Sequence, residues 1–180
     1  MHIFLMSTLL TLLPYTNIVF QFGNQQVSAN SCGAASVSTL QGIYHSKDSD
    51  LSAEVISQDR TNLLYLRNFL TANGVECEGY HLTYNALEHE TLTKPVLIHL
   101  RSGNGHFALA YHVDSIGAVI FDPSRGNVFI GRSRLLKEWD NTSLVFGEVP
   151  PLESWTRLQK IAQYEQARHS LLTTISRRLP

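Results

Sequence analysis

The sequence has little charge, few cysteines and no long hydrophobic run. Of its 180 residues, 16% are charged, and 14 basic residues nearly balance 15 acidic ones. A net charge of -1 gives no field that would favour a phosphate backbone, so nucleic acid is not an expected partner. Two cysteines, Cys32 and Cys77, are too few for a disulfide scaffold and lack the paired spacing of a zinc site. With 43% hydrophobic residues, we expect one modest core.

The longest apolar stretch lies at the N-terminus, from Ile3 to Leu13. It has the length of a signal-peptide core and is too short to span a bilayer. The leading segment carries no Lys or Arg, and no A-x-A-like site follows, so a strand or helix packed on the core is the alternative. We expect residues 1–20 to be a signal peptide or membrane anchor, which predicts a periplasmic or inner-membrane-associated protein. The alternative predicts a cytoplasmic one.

Hydrophobic periodicity predicts helices first and strands afterwards. Apolar residues at three- and four-residue spacing predict a helix that begins near Asn30 and a second over 61–72. Short β-rich runs follow between turn residues, at 75–82, 95–100, 107–113, 118–121, 127–130 and 143–146. Short helical pieces are predicted at 84–89 and 132–139. This order is typical of an α+β fold in which N-terminal helices pack on a mostly antiparallel sheet.

A helical tail follows Pro150 and Pro151. The pattern divides the chain into the N-terminal stretch 1–20, one domain over 21–149 and a C-terminal tail over 150–180. Apolar residues lie on roughly one side of the tail, and basic residues lie elsewhere. Packing against the domain and docking to a partner or membrane surface both remain open for this helix.

Three residues in chain order suggest an activated thiol. Cys32 lies in the first turn of the predicted helix, where unpaired N–H groups and the helix dipole favour a thiolate. His106 begins a predicted strand, and Asp122 ends the next one. A hairpin between these strands brings both residues to one region, where the carboxylate can orient the imidazole and the imidazole can activate the thiol. Gln26, six residues before Cys32, offers an amide that can join the Cys32 N–H as an oxyanion hole.

Each of these residues also has an ordinary explanation. An isolated cysteine is more often a small buried hydrophobe, and an aspartate before proline is more often a turn former. It is the order of the three residues and the position at a helix start that favour the catalytic interpretation.

Three runs of sequence together resemble the bacteriocin-processing (double-glycine leader) cysteine peptidase family. They are QVSANSCGAA at 26–35, GHFAL at 105–109 and FDPSRG at 121–126, and the resemblance extends over about 21–147. The resemblance implies a papain-like fold and cleavage of a leader peptide after a Gly-Gly pair, an activity usually found in the N-terminal domain of ABC exporters. No G-x-x-x-x-G-K-[ST] motif occurs, so we expect a stand-alone relative without transporter domains.

The resemblance also assigns roles by position. It implies that Cys32 is the nucleophile, His106 the general base and acid, Asp122 the residue that orients the histidine, and Gln26 the oxyanion donor. For substrate binding it implies Gly33, Gly105 and Phe107. The chemistry requires no cofactor and no metal.

The expected partner is a peptide or protein substrate with small residues ahead of the cut, in the context of secretion or pilus machinery. The chain departs from the family at 30–31 (NS), where an acidic residue is common, and at Ala34, where proline is frequent. These departures put leader specificity in doubt more than catalysis.

Two alternatives to this function remain. The order Cys, His, Asp also fits other papain-like amidases and acyltransferases, including cell-wall amidases and transglutaminases. The fold can also serve as a non-catalytic peptide-binding module of a secretion or pilus assembly, although a pure binder needs none of the three residues. His99 and His112 lie on predicted strands near His106, but no thiolate or carboxylate stands at metal-ligand spacing in the sequence. Cys77 is predicted to be a core residue.

Overall fold

The computed structural model describes residues 23–26, 28, 31–45, 62–103 and 105–176. The predictions for residues 1–20 lie outside the described residues. The helices and strands follow in the order α1 (Cys32–His45), α2 (Leu63–Ala72), β1 (Cys77–His81), α3 (Tyr84–Glu90), β2 (Val96–Leu100), β3 (His106–Val113), β4 (Gly117–Asp122), β5 (Gly126–Gly131), α4 (Arg132–Glu138), β6 (Trp139–Phe146) and α5 (Leu152–Ser176). Helices and a predominantly antiparallel sheet confirm the predicted α+β class.

One sheet organises the described part of the chain. Its six strands run in the spatial order β1-β6-β2-β3-β4-β5, and every neighbouring pair is antiparallel. Because antiparallel neighbours alternate in direction, the starts of β3 and β6 lie at the same end of the sheet as the ends of β2 and β4. We call this end of the sheet the site end, because it carries His106 at the start of β3 and Asp122 at the end of β4.

Each face of the sheet carries its own apolar cluster. The first cluster joins the sheet to α1, α2 and α5, and its members include Cys32, Leu40, Leu109 and Leu158. The second cluster lies on the other face, under the short helices α3 and α4, and it includes Trp139. Burial on both faces explains the nearly continuous apolar runs of β3 and β4.

Helix α1 is almost entirely buried, which is unusual for its polar content. Ser36, Ser38, Thr39 and Gln41 are buried together with its apolar residues. The Ser36 hydroxyl donates to the Phe107 carbonyl of β3, and the Asn24 backbone N–H donates to the Thr39 hydroxyl. Hydrogen bonds of this kind offset the cost of burying polar groups, and they fix α1 between the sheet and residues 23–26.

The C-terminal helix α5 packs on the domain as far as His169, whose ring stacks on Phe129 of β5. Leu158, Ile161 and Ala162 join the first apolar cluster, and the Gln159 amide donates to the Tyr111 carbonyl of β3. Three apolar side chains of the last two turns are exposed: Leu171, Leu172 and Ile175. Within the described residues, α5 and the other helices are too short or too polar to cross a bilayer.

The last strand differs from its prediction. β6 begins at Trp139, whereas the sequence predicted a strand from residue 143 and assigned Trp139 to the preceding helix. Trp139 is buried opposite Leu100 of β2, and the β2–β6 register shifts between Ile98 and Leu100. An irregularity of register interrupts the alternating pattern on which strand prediction depends. The polar residues 140–142 therefore gave no signal for a strand.

Candidate active site

Cys32 is the first residue of α1, as predicted. Its thiol is buried and hydrogen-bonded to His106, and backbone hydrogen bonds from Phe107 and Gly33 also reach the sulfur. Burial alone would raise the pKa of the Cys32 thiol, but these hydrogen bonds and the charge of His106 overcome burial and lower it. Ser31 precedes the helix, and its hydroxyl accepts from the Ser28 backbone N–H. Thiolate formation is therefore favoured at a fixed position.

His106 and Asp122 meet at the site end of the sheet because of the β3–β4 register. Leu109 pairs with Phe121, and this register continued by one residue sets Asp122 opposite Ala108, two positions from His106. Diagonal neighbours at this offset are within reach of long side chains. The His106 Nε2 lies 2.9 Å from the Asp122 Oδ1, which leaves Nδ1 for the thiol. The structure thus brings Cys32, His106 and Asp122 together.

The pKa values of His106 and Asp122 shift in opposite directions, and both shifts favour the charged forms of the two side chains. Hydrogen bonds to Asp122 and then to Cys32 raise the pKa of His106 to about 9, against the effect of burial. Burial raises the pKa of the Asp122 carboxyl, but its hydrogen bonds with His106 and Ser124 outweigh burial and hold the pKa below its usual range. A thiolate, an imidazolium and a carboxylate in contact form the arrangement needed for nucleophilic attack with proton return.

Asp122 has further partners that the sequence patterns did not reveal. Its Oδ1 accepts from the Ser124 backbone N–H at 2.8 Å and from the Ser124 hydroxyl at 2.6 Å. Its Oδ2 accepts from Arg125 Nε at 2.7 Å and lies 2.6 Å from Arg125 Nη2. The signal for Ser124 was present, since an aspartate two residues before a serine in a turn commonly bonds that backbone N–H. The sequence held no signal for Arg125.

Gln26 reaches the site through the turn after β4. Its backbone N–H donates to the Pro123 carbonyl at 2.9 Å, so it lies next to the residue that follows Asp122. Its side-chain Oε1 is buried without a hydrogen-bond partner among the described residues, whereas its neighbour Gln25 is exposed. That oxygen is a hydrogen-bond acceptor, whereas an oxyanion requires a donor. The role of oxyanion donor, which falls to the Nε2 of the same amide, stays a prediction.

The three predicted substrate-binding residues occupy different environments. Gly33 is buried in the first turn of α1, and Phe107 is buried in the first apolar cluster against the His99 ring, 5.1 Å between centroids. Gly105 has φ +98°, and a Cβ there would lie 2.5 Å from the His99 Nε2. Only glycine fits this close approach and this backbone conformation. Substrate contact by these residues stays a prediction.

His99, His112 and Cys77 lie in environments that differ from that of the Cys32–His106 pair. His99 Nδ1 lies 2.5 Å from the Asp140 Oδ2, and His112 Nε2 lies 3.4 Å from the Asp114 Oδ2. In the described ranges, no three histidine, cysteine or acidic side chains cluster in a way that could hold a metal ion. Cys77 is a buried free thiol, and burial raises its pKa to about 11. It is therefore unreactive compared with Cys32, which is also free.

Comparison with known proteins agrees with this geometry. The model of the Peptidase C39 family matches residues 23–149. A search of curated proteins found no match.

Solved structures share the fold. A double glycine motif protease from an AMS/PCAT transporter, solved in complex with the leader peptide, is 27% identical, with a TM-score of 0.60 over 71% of this chain and 89% of that one. The peptidase domain of Streptococcus ComA, a bifunctional ABC transporter involved in a quorum sensing pathway, is 18% identical, with a TM-score of 0.62 over 72% and 98%. The corresponding domain of Streptococcus mutans ComA is also 18% identical, with a TM-score of 0.56 over 71% and 99%.

Proposed function

The chain belongs to the Peptidase C39 family, which makes it a cysteine peptidase, and from this premise we propose that Cys32, His106 and Asp122 perform the hydrolysis. The observation that carries the proposal is the continuous set of hydrogen bonds from the Cys32 thiol through His106 to the buried Asp122. A structural cysteine requires neither a lowered pKa nor a histidine held by a carboxylate.

Acylation begins with attack of the Cys32 Sγ on the carbonyl carbon of the scissile peptide bond. The carbonyl π electrons move to oxygen, and the Cys32 N–H and the Gln26 amide stabilise the oxyanion. As the oxyanion collapses, the C–N bond breaks and the imidazolium of His106 gives its proton to the leaving amine. The product is a thioester on Cys32.

Deacylation restores the site with one water. Neutral His106 takes a proton from that water, whose oxygen attacks the thioester carbonyl. When this intermediate collapses, the C–S bond breaks, the acid product leaves and the Cys32 thiolate pairs again with imidazolium. Asp122 keeps the imidazole oriented through both steps and stays ionised.

The proposed substrate is a peptide or protein with small residues, of Gly-Gly type, immediately before the cut. The support is family membership together with the 27% identical neighbour, which was solved with a leader peptide. We further propose that the substrate is an exported or pilus-type protein and that the enzyme works in the periplasm or at the inner membrane. Cell fractionation with an antibody to the protein tests this location, and recovery in the cytoplasm contradicts it.

Thiol alkylation tests the proposed mechanism without knowledge of the substrate. Iodoacetamide reaction rates against pH are measured for Cys77→Ser, and then for the same protein with His106→Ala. We expect alkylation to stay fast at pH values well below the free-thiol pKa of about 8.5. Without His106, the pH dependence of the rate should follow that free-thiol pKa. His112→Ala is the matched control, since His112 also pairs with a carboxylate but lies near the other end of β3. Alkylation that follows the free-thiol value in all variants contradicts the catalytic assignment and favours a binding module.

Synthetic peptides test the specificity. Peptides that carry Gly-Gly or Val-Val before the same cleavage position are incubated with the enzyme, and the products are identified by mass spectrometry. We expect cleavage after Gly-Gly only. Equal cleavage of both peptides, or cleavage only of an isopeptide or cell-wall amide, contradicts the proposed substrate class.

A further inference from the structure

The two oxygens of the catalytic carboxylate have separate sets of donors. Oδ1 faces His106 and Ser124, whereas Oδ2 faces the Nε and Nη2 of Arg125 at 2.7 and 2.6 Å. The Asp122 side chain is 1% exposed, and Arg125 is 42% exposed. A partly exposed arginine therefore reaches inward to a carboxylate that solvent does not reach.

This contact restricts how the carboxylate can turn. A guanidinium is rigid and planar, so the Nε–H hydrogen bond and the adjacent Nη2 contact on Oδ2 hold the carboxylate more firmly than a single donor. The backbone N–H of Arg125 also donates to the Asp122 carbonyl at 3.0 Å, which fixes the turn that carries the guanidinium. With Oδ2 held in this way, Oδ1 stays directed at the His106 Nε2.

Because of this contact, the Asp122 carboxylate faces two cations, the Arg125 guanidinium and the His106 imidazolium. Among the described residues, the charged or titratable groups that face His106 are Cys32 from α1 and Asp122 from β4. Those that face Asp122 are His106 from β3 and Arg125 from the β4–β5 turn. A nearby positive charge disfavours the protonated form of an imidazole, so Arg125 limits the affinity of His106 for its proton.

We propose that Arg125 is a positioning residue of the proposed peptidase site, which holds Asp122 toward His106 and limits how strongly that carboxylate retains the imidazolium proton. The inference rests on the proposed function, because it needs His106 to act as the acid that protonates the leaving amine. The hydrogen bond and the ion pair that the structure gives the Arg125 side chain are both with Asp122, and it acts through that carboxylate.

Arg125→Gln and Arg125→Lys separate the two effects, in a Cys77→Ser background. For Arg125→Gln we expect kcat to fall about tenfold on a cleavable Gly-Gly peptide, because hydrogen bonds to a buried charge are lost. We expect KM to change less than about twofold, since the arginine does not bind substrate. The alkaline limb of the pH–rate profile, in which the Cys32–His106 pair loses its proton, should move upward by about one pH unit. Arg125→Lys keeps the positive charge, so the alkaline limb should stay at its wild-type pH. Its kcat should fall less than that of Arg125→Gln.

Arg134→Gln is the matched control, because Arg134 forms a similar ion pair with Glu138 through Nε at 2.7 Å, on α4. We expect wild-type kcat and pH dependence from it. The His106 imidazole resonance, titrated by NMR in each variant, measures the same shift without a substrate. If Arg125→Gln does not fold, the inference is decided by Arg125→Lys, which must lower kcat without moving the limb.

Three outcomes overturn the inference. If a folded Arg125→Gln protein has wild-type kcat and an unchanged alkaline limb, Arg125 does not position Asp122. An increase in KM alone makes it a substrate-binding residue. Wild-type kcat in Arg125→Lys shows that the planar guanidinium is not needed. Each of these differs from failure of the proposed function, in which the parent protein itself shows free-thiol alkylation and no cleavage.

Discussion

At the scale of single residues, the pH dependence of the site follows from two pKa values that have moved in opposite directions. The pKa of the Cys32 thiol is lowered and that of His106 is raised to about 9. The thiolate–imidazolium pair therefore exists between the two values and is lost as the pH rises through about 9. The two groups are in contact, so each limb of the profile belongs to the pair and not to one residue.

We predict a kcat/KM that is level through neutral pH and falls above about pH 9, when His106 can no longer supply a proton. The acid limb should lie below the free-thiol pKa, because the Cys32 thiolate is stabilised. Initial rates on a Gly-Gly peptide in constant-ionic-strength buffers measure both limbs. A single limb near 8.5, rising toward high pH, would mean that the thiol ionises without the imidazole.

Gly105 is the residue whose substitution should disturb the site most directly without touching a reacting group. Alanine there meets both a positive φ and the His99 ring, whereas Gly103, at φ +59°, has open space where a Cβ would point. We expect Gly105→Ala to lose about 1–3 kcal/mol of unfolding free energy and to displace the adjacent His106. Gly103→Ala should cost less, because it bears only the backbone strain.

Chemical denaturation of both variants measures this difference, and a double-mutant cycle with His99→Ala isolates the clash. Removal of the ring should restore part of the stability of Gly105→Ala and little of that of Gly103→Ala. Equal losses in the two glycine variants would assign the whole effect to the positive φ.

At the scale of elements, periodicity located the helices and strands but not the contacts across them. The apolar spacing of α1 and the sequence order of β3 and β4 were sufficient to place Cys32, His106 and Asp122 near one another. The pairing of His99 with Asp140 depends on the β2–β6 register, which carries an irregularity, and no local pattern encodes it. The contact of Arg125 with Asp122 could not be predicted either, because an arginine in a turn is ordinarily solvated.

Helix α3 stabilises the β3–β4 hairpin at its turn, opposite to the site end of the sheet. The Tyr84 hydroxyl donates to the Asp114 carbonyl at 2.7 Å and lies 3.2 Å from the Gly117 carbonyl. We expect Tyr84→Phe to lower the unfolding free energy by about 1 kcal/mol while kcat stays unchanged. Tyr80→Phe, at an exposed tyrosine of β1, is the control and should change neither quantity. A loss of kcat in Tyr84→Phe would show that the two ends of the hairpin are coupled.

At the scale of the whole molecule, the C-terminal helix α5 divides at His169 into a packed part and a shorter exposed part. Leu158 and Ile161 are buried in the same apolar cluster as Cys32, and His169 stacks on Phe129 of β5 at 4.3 Å. The described apolar side chains beyond His169, at 171, 172 and 175, are more than half exposed. The packed part therefore belongs to the core that holds α1 and the thiol.

Two truncations distinguish these parts of α5. Removal of every residue after Pro150 takes Leu158 and Ile161 from the core, at about 1.5–3 kcal/mol each, a large part of the 5–15 kcal/mol typical of a domain. We expect that protein to unfold at a much lower temperature and to lose peptidase activity, because α1 loses its packing.

Removal of the residues after Ser170 should leave Tm and kcat within error of the full chain, since the described side chains that are lost, at 171–176, are exposed. A lower Tm after this smaller deletion would mean that the last part of α5 is covered in solution, and concentration-dependent melting would then identify a second copy as the cover.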